Sequence, residues 1–144
     1  MDVIQEKIKE LKAFQNETDS ILLKLVKSEE MAVINMNVND QLFNGLNADG
    51  QQIRPPYRPL TVIIKKELGQ PFDRVTLRNT GKFISSWFID FRNAEFLLDA
   101  GDQKKAKLLR KYSTRIFGLT DGNVGRLINL IEPDFVNDFR KKIL

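Results

Sequence analysis

Residues 73–88, DRVTLRNTGKFISSWF, decide how the rest of the chain is read. Val75-Thr76-Leu77 is strand-like. Thr80-Gly81 is a turn in which glycine is expected at positive φ. Phe83 to Phe91 is an apolar run that holds the only tryptophan, Trp87. Nothing in the stretch has the make-up of a catalytic centre. It reads as a structural corner made by Thr80, Gly81, Phe83 and Trp87, with Phe83 and Trp87 anchoring the segment after it. Beyond it, Trp87 to Phe91 and Ala94 to Asp99 read as two strands joined by Arg92-Asn93, a hairpin. Strict alternation puts Trp87, Ile89 and Phe91 on one face.

Upstream of the corner, residues 2 to 28 read as one long helix. Ile4, Ile8, Leu11, Thr18, Leu22 and Leu25 recur at helical steps, and Asp2 can cap the start. At 1.5 Å per residue it is about 40 Å long, so it either spans the domain or projects toward a partner. Residues 31 to 44 carry two patterns. Ile34 to Asn39 alternates with period two, whereas Met31, Ile34, Val38 and Leu42 fit a helix. The expectation is a short strand followed by a helical turn at Asn39 or Asp40. A loop from Gly45 to Pro59 carries Asp49-Gly50 and Pro55-Pro56, with Tyr57 as an anchor, ring inward and hydroxyl outward. Pro59 to Leu68 reads as a helix buried through Leu60, Ile63, Ile64 and Leu68 and ended by Gly69.

Downstream, Asp102 can cap a helix to about Tyr112, with Ala106, Leu108 and Leu109 on its apolar side. The apolar link Ile116-Phe117-Gly118-Leu119 comes next. Thr120 or Asp121 opens a helix buried through Val124, Leu127, Ile128 and Ile131. Pro133 starts a last helix with Phe135, Phe139 and Ile143 inward. The expected fold is α+β in one domain, residues 1–144. It has a long N-terminal helix, a small antiparallel sheet with a hairpin, and C-terminal helices.

Composition narrows the chemistry. The chain has no cysteine and no histidine, which excludes disulfides, thiolate metal sites, and Ser-His-Asp, Cys-His and zinc-hydrolase chemistry. Neither an enzyme nor a cofactor is expected. The net charge of +4, from 23 cations and 19 anions, permits polyanion affinity without demanding it. The start does not read as a signal peptide. No apolar run approaches the ~20 residues of a membrane span, so the chain is expected to be soluble, made in the cytoplasm and without a membrane partner.

Four sets of side chains are candidate sites. The helix bearing Lys104, Lys105, Lys107, Arg110 and Lys111, followed by Arg115, contains no acid. Its charges are expected to point in different directions, and contact with nucleic acid is possible but not favoured over a solvated face or an acidic protein partner. Arg54, Arg58, Lys65, Lys66, Arg74, Arg78 and Lys82 could line an anion groove or form the rim of a protein interface, and the rim is favoured. Pro55, Pro56, Tyr57, Phe72 and Trp87 could supply an inter-subunit anchor, with internal packing favoured for Tyr57 and Trp87 taken singly. Asp73, Asp90, Asp99 and Asp102 have no metal-loop spacing and suit turns and caps.

The middle of the chain, about residues 45 to 91, resembles the virion morphogenesis or tail-completion family of tailed bacteriophages. The ordered features are Asp49-Gly50, the run RPPYRPLT at 54–61, a helix with Lys65 and Lys66, then VTLRNTG at 75–81, Phe83, and Ser85-Ser86 before a strand. Ile53 stands where that family commonly has an aromatic, and Phe83 where it has a leucine; both keep an apolar anchor. The resemblance implies a non-enzymatic virion component of the tail or head–tail neck. It would assemble with itself into a ring and contact portal, connector or tail proteins. Interface candidates are then Tyr57, Arg58, Lys65, Lys66, Arg74, Arg78, Lys104, Lys105 and Arg110. The alternative is a small nucleic-acid-binding accessory protein using the basic helix 103–115.

Overall fold

The computed structural model describes residues 2–144. The fold is α+β, with a long N-terminal helix, one two-stranded antiparallel hairpin and C-terminal helices. Helix α1, Val3–Ser28, starts where Asp2 accepts a hydrogen bond from the Gln5 amide. It runs antiparallel to the last helix, α6 (Asp121–Ile143). Lys7 reaches the Ile143 carbonyl, while Phe14 meets Phe139 edge-on at 5.2 Å and Phe135 at 5.6 Å. The two helices thus share a small aromatic seam, and their other ends enter the main core through Val26, Leu127 and Ile131. The first three turns of α1 project beyond it: Val3, Ile4, Ile8 and Leu11 are exposed.

The segment after α1 is helical throughout, not strand followed by turn. Helix α2, Glu30–Asn35, continues as a π-helical turn, Met36–Gln41, and a 3₁₀ turn, Leu42–Asn44. The period-two pattern misleads because a polar residue lies on the buried side. Met36, Asn37 and Val38 are consecutive and all buried, and Gln41 joins them. A widened helical turn accommodates this; a half-buried strand does not. Asn37 donates to the Ile116 carbonyl at 3.0 Å and accepts from the Gly118 amide at 2.7 Å. Gln41 donates to the Gly118 carbonyl at 2.8 Å. Its side-chain oxygen accepts from the Thr120 amide at 2.9 Å and from Asn123 at 2.8 Å. These two amides hold the link between the last helices by its backbone.

The Asp49-Gly50 loop is tied back on itself. Asn47 Oδ1 accepts from the Asp49 and Gln51 amides, and Gly50 has φ +76°. Helix α3, Pro59–Glu67, comes next. Its burial is the reverse of the expected one: Leu60 is 68 % and Leu68 61 % exposed, with Ile63 and Ile64 also outward, whereas Lys65 is 7 % exposed. The Lys65 ammonium donates to the Arg78 carbonyl at 3.0 Å and to Gln70 Oε1 at 3.3 Å, and sits 4.9 Å from the centre of the Tyr57 ring. A carbonyl, an amide oxygen and a π face together offset the desolvation of its charge.

The corner is buried but forms no strand. Val75 and Thr76 are inaccessible to solvent, Leu77 takes φ +61°, and no ladder includes them. The Thr76 amide donates instead to the Tyr57 hydroxyl at 3.1 Å, so that hydroxyl points inward rather than out. Gly81 has φ +84° and leads into the one-turn helix α4, Lys82–Ser85. Phe83 and Trp87 are buried edge-to-face at 5.9 Å, and Trp87 lies 4.5 Å from Phe117. Strands β1, Trp87–Arg92, and β2, Glu95–Ala100, pair from Trp87↔Ala100 to Arg92↔Glu95. The turn is therefore Asn93-Ala94, one residue later than expected, with Asn93 at φ +48°.

Helix α5, Lys105–Tyr112, lies beyond the hairpin, its approach fixed by Asp102 accepting from the Lys104 amide. The Thr120 side chain caps α6 by accepting from the Asn123 amide. Pro133 lies inside α6 and does not start a new helix. Leu127 and Ile131 are buried there, whereas Val124 and Ile128 are exposed. Among the described residues no helix is long and apolar enough to cross a membrane.

Candidate functional site

Helices α3 and α5 and the corner segment 77–83 enclose a cleft of about 670 Å³. Helical spacing supplies one wall. Lys104, Lys107 and Lys111 stand at i, i+3 and i+7, so they share one face of α5, with Leu108 and Tyr112 beneath. The basic series on α5 is therefore split rather than scattered. Lys105 points elsewhere and pairs with Asp99 at 2.7 Å, and Arg110 is exposed outside the cleft. The opposite wall brings Arg58, Lys65, Ile64 and Leu68 from α3 and its approach, and Leu77 and Arg78 come from the corner.

Six of the chain's 23 cations line this cleft and none of its 19 acids does. Elsewhere four arginines are neutralised locally: Arg74 by Asp73, Arg92 by Asp90, Arg115 by Asp49 and Arg126 by Asp40. Among the described residues none of Arg58, Lys65, Arg78, Lys104, Lys107 and Lys111 has a carboxylate partner. A modest net charge thus conceals a strongly positive concavity, whose low-dielectric walls focus the field. The Arg78 guanidinium is partly occupied, since it reaches Asn39 and lies 5.0 Å from the Phe43 ring centre, and its Nε is buried without a partner.

The aromatic rings of the cleft are already covered. Lys65 lies over Tyr57, Lys111 lies 5.3 Å from the Tyr112 ring centre, and Phe83 is buried against Trp87. Burial, with a smaller contribution from Tyr57, pushes the Tyr112 phenol above its ordinary value, so it stays neutral. The cleft can therefore attract and hold an anion with an apolar body. It contains no carboxylate, histidine or cysteine to move a proton near neutral pH.

Of the predicted interface residues, Tyr57, Arg58, Lys65, Arg78 and Lys104 converge on the cleft with the corner residues Thr80, Gly81 and Phe83. Lys66, Arg74, Lys105 and Arg110 do not. Lys66 stacks on Phe72 at 4.7 Å, and Arg74 donates to the Phe43 carbonyl and pairs with Asp73. Trp87 lies in the core, its indole N–H without a partner. Lys107 and Lys111 line the cleft although the predicted interface set lacks them; their signal is the i, i+3, i+7 spacing with Lys104. The candidate carboxylates stand apart: Asp99 meets Lys105, Asp102 meets its own turn, and among the described residues no three acids converge. Burial tends to raise the Asp99 carboxyl, but hydrogen bonds from Lys105 and the Ala100 amide outweigh it and leave it below the usual carboxylate value. No protein family, curated protein or solved structure matches this chain.

Proposed function

We propose that this chain is a structural component of a tailed-phage particle, a tail or neck protein that closes into a ring with copies of itself and seats on portal, connector or tail proteins. The observation that carries this reading is the inverted helix α3. A helix that buries a lysine while presenting Leu60, Ile63, Ile64 and Leu68 to solvent has its apolar face unpartnered within one chain. A second such face lies on the first turns of α1 at Val3, Ile4, Ile8 and Leu11. Two different apolar faces on one subunit suit a heterologous contact, and heterologous contacts generate rings when the rotation closes. The phage assignment itself is supported by the ordered resemblance over residues 45–91.

Sedimentation velocity and negative-stain microscopy of the purified chain test it. Closed rings of many 16.6 kDa subunits are expected. Leu60→Lys with Ile63→Lys should leave a folded monomer, because both side chains are exposed in the single subunit and neither lines the cleft. A wild-type chain that stays monomeric at tens of micromolar, alone and with portal or tail proteins, overturns the reading.

A further inference from the structure

We infer that the cleft between α3 and α5 is a docking site for an extended acidic segment of a different protein, with carboxylates alternating with apolar residues. This rests on the cleft, which shares Ile64 and Leu68 with the exposed face of α3 but not Leu60 and Ile63. Charge comes first: six cations, no acid and no internal ion pair leave a site whose natural complement is polyanionic. Spacing comes second. Lys104, Lys107 and Lys111 are separated along the helix axis by about 4.5 and 6 Å. Side chains on one face of an extended chain repeat every ~6.7 Å, so two or three acidic side chains can each meet a lysine. Composition comes third. Ile64, Leu68 and Leu77 line the wall opposite the α5 lysines, where the alternate, apolar side chains of an extended segment point.

The same observations disfavour nucleic acid. Single strands bind non-specifically by stacking bases on open aromatic faces, and here both tyrosine rings are covered by lysines and Phe83 is buried. A second copy of this chain is disfavoured too, because Glu30, Glu132, Asp134 and Asp138, unpaired among the described residues, sit on α2 and α6 rather than in an extended run.

Fluorescence anisotropy on the full chain tests the proposal with three labelled probes about ten residues long: a peptide of alternating Glu and Leu, one of alternating Glu and Ser, and an oligothymidylate. The Glu/Leu peptide should bind tightest, and its affinity should fall with salt. Lys107→Glu with Lys111→Glu should weaken it by roughly tenfold or more. Arg110→Glu, on the same helix but outside the cleft, should leave it within about twofold. Unchanged circular dichroism and urea midpoint establish that the double variant is folded. The proposal fails if the Glu/Leu peptide does not bind at low salt, or if Arg110→Glu weakens it as much as the double variant. It fails equally if the oligothymidylate binds more tightly, or if the double variant lowers the oligomer mass with no peptide present, which would make the cleft a contact between copies.

Discussion

Replacing Gln41 should destabilise this protein more than replacing any other single polar residue. Gln41 is 1 % exposed and makes three hydrogen bonds across a sequence separation of about eighty residues, to the Gly118 carbonyl, the Thr120 amide and Asn123. Gln41→Met keeps the length and the apolar stem but leaves all three partners without it. An abandoned buried group costs about 1–3 kcal/mol. Taking the lower part of that range for three groups gives a loss of about 3–6 kcal/mol, comparable with the ~5–15 kcal/mol that holds a typical domain together. Gln41→Glu adds a diagnostic. The ionised carboxylate still accepts two bonds but cannot donate to the Gly118 carbonyl, and it buries a charge. Once protonated, it can donate. Burial raises such a group's folded-state pKa above its unfolded value, so the deficit of Gln41→Glu should shrink as pH falls and grow as it rises through neutrality. Urea unfolding is the assay, read through Trp87, which packs on Phe117 in the very link that Gln41 holds. A loss below about 1 kcal/mol for Gln41→Met would show that the link relaxes or admits water, and would refute the reasoning.

Two glycines with nearly the same positive φ should behave differently. Gly81 (φ +84°) has nothing within 4 Å of where a Cβ would sit, so Gly81→Ala should cost only the backbone term of about 1–2 kcal/mol, and Gly81→Val somewhat more. At Gly45 (φ +76°) the added Cβ falls 2.9 Å from Arg74 Cβ, so Gly45→Ala should exceed Gly81→Ala in urea denaturation; equality would contradict the packing of Arg74 there. Pro133→Ala should stabilise α6 by roughly 1–3 kcal/mol, since it restores an interior helix amide; a lower melting temperature would mean that the proline serves the bend of the helix. Asp99, held below the ordinary value of 3.8, contributes stability that is present above that value and lost as pH falls through its folded pKa. Asp99→Asn should therefore flatten the acid limb of stability against pH, and an unaltered limb would place that loss on other carboxylates.

The elements most legible in the sequence were those whose burial pattern is set locally. The Asp2 cap and apolar repeats give α1, although Ile4, Ile8 and Leu11 of those repeats are exposed; alternation gives the hairpin, and Thr80-Gly81 gives the left-handed turn. The failures share a cause, which is polar groups satisfied from far away. Asn37 and Gln41 look like the solvent face of a strand until segment 116–123 supplies their partners. Val75-Thr76 looks like a strand, yet its outlet is the Tyr57 hydroxyl rather than a neighbouring backbone. Pro133 looks like a helix start, but packing of Phe135 and Phe139 on Phe14 carries the helix through it.

The cleft was half legible for the same reason. Periodicity on α5 could have shown that Lys104, Lys107 and Lys111 form a stripe, because that spacing is a property of the helix alone. It could not have shown what faces the stripe. That depends on α3 being turned so that Lys65 is inside, which reverses the assignment its leucines and isoleucines suggest. The reversal has one source: the Arg78 carbonyl, Gln70 and the Tyr57 ring form a cradle that an ammonium fills and an isoleucine would leave unsatisfied. Once Lys65 is fixed there, the apolar side of α3 must look outward. Arg58 and Lys65 then meet the α5 lysines with no acid between them. The exposed apolar helix and the positive cleft are thus two consequences of a single buried lysine. Lys65→Met should therefore disturb both, loosening the cleft and altering assembly together, whereas Leu60→Lys should affect assembly alone.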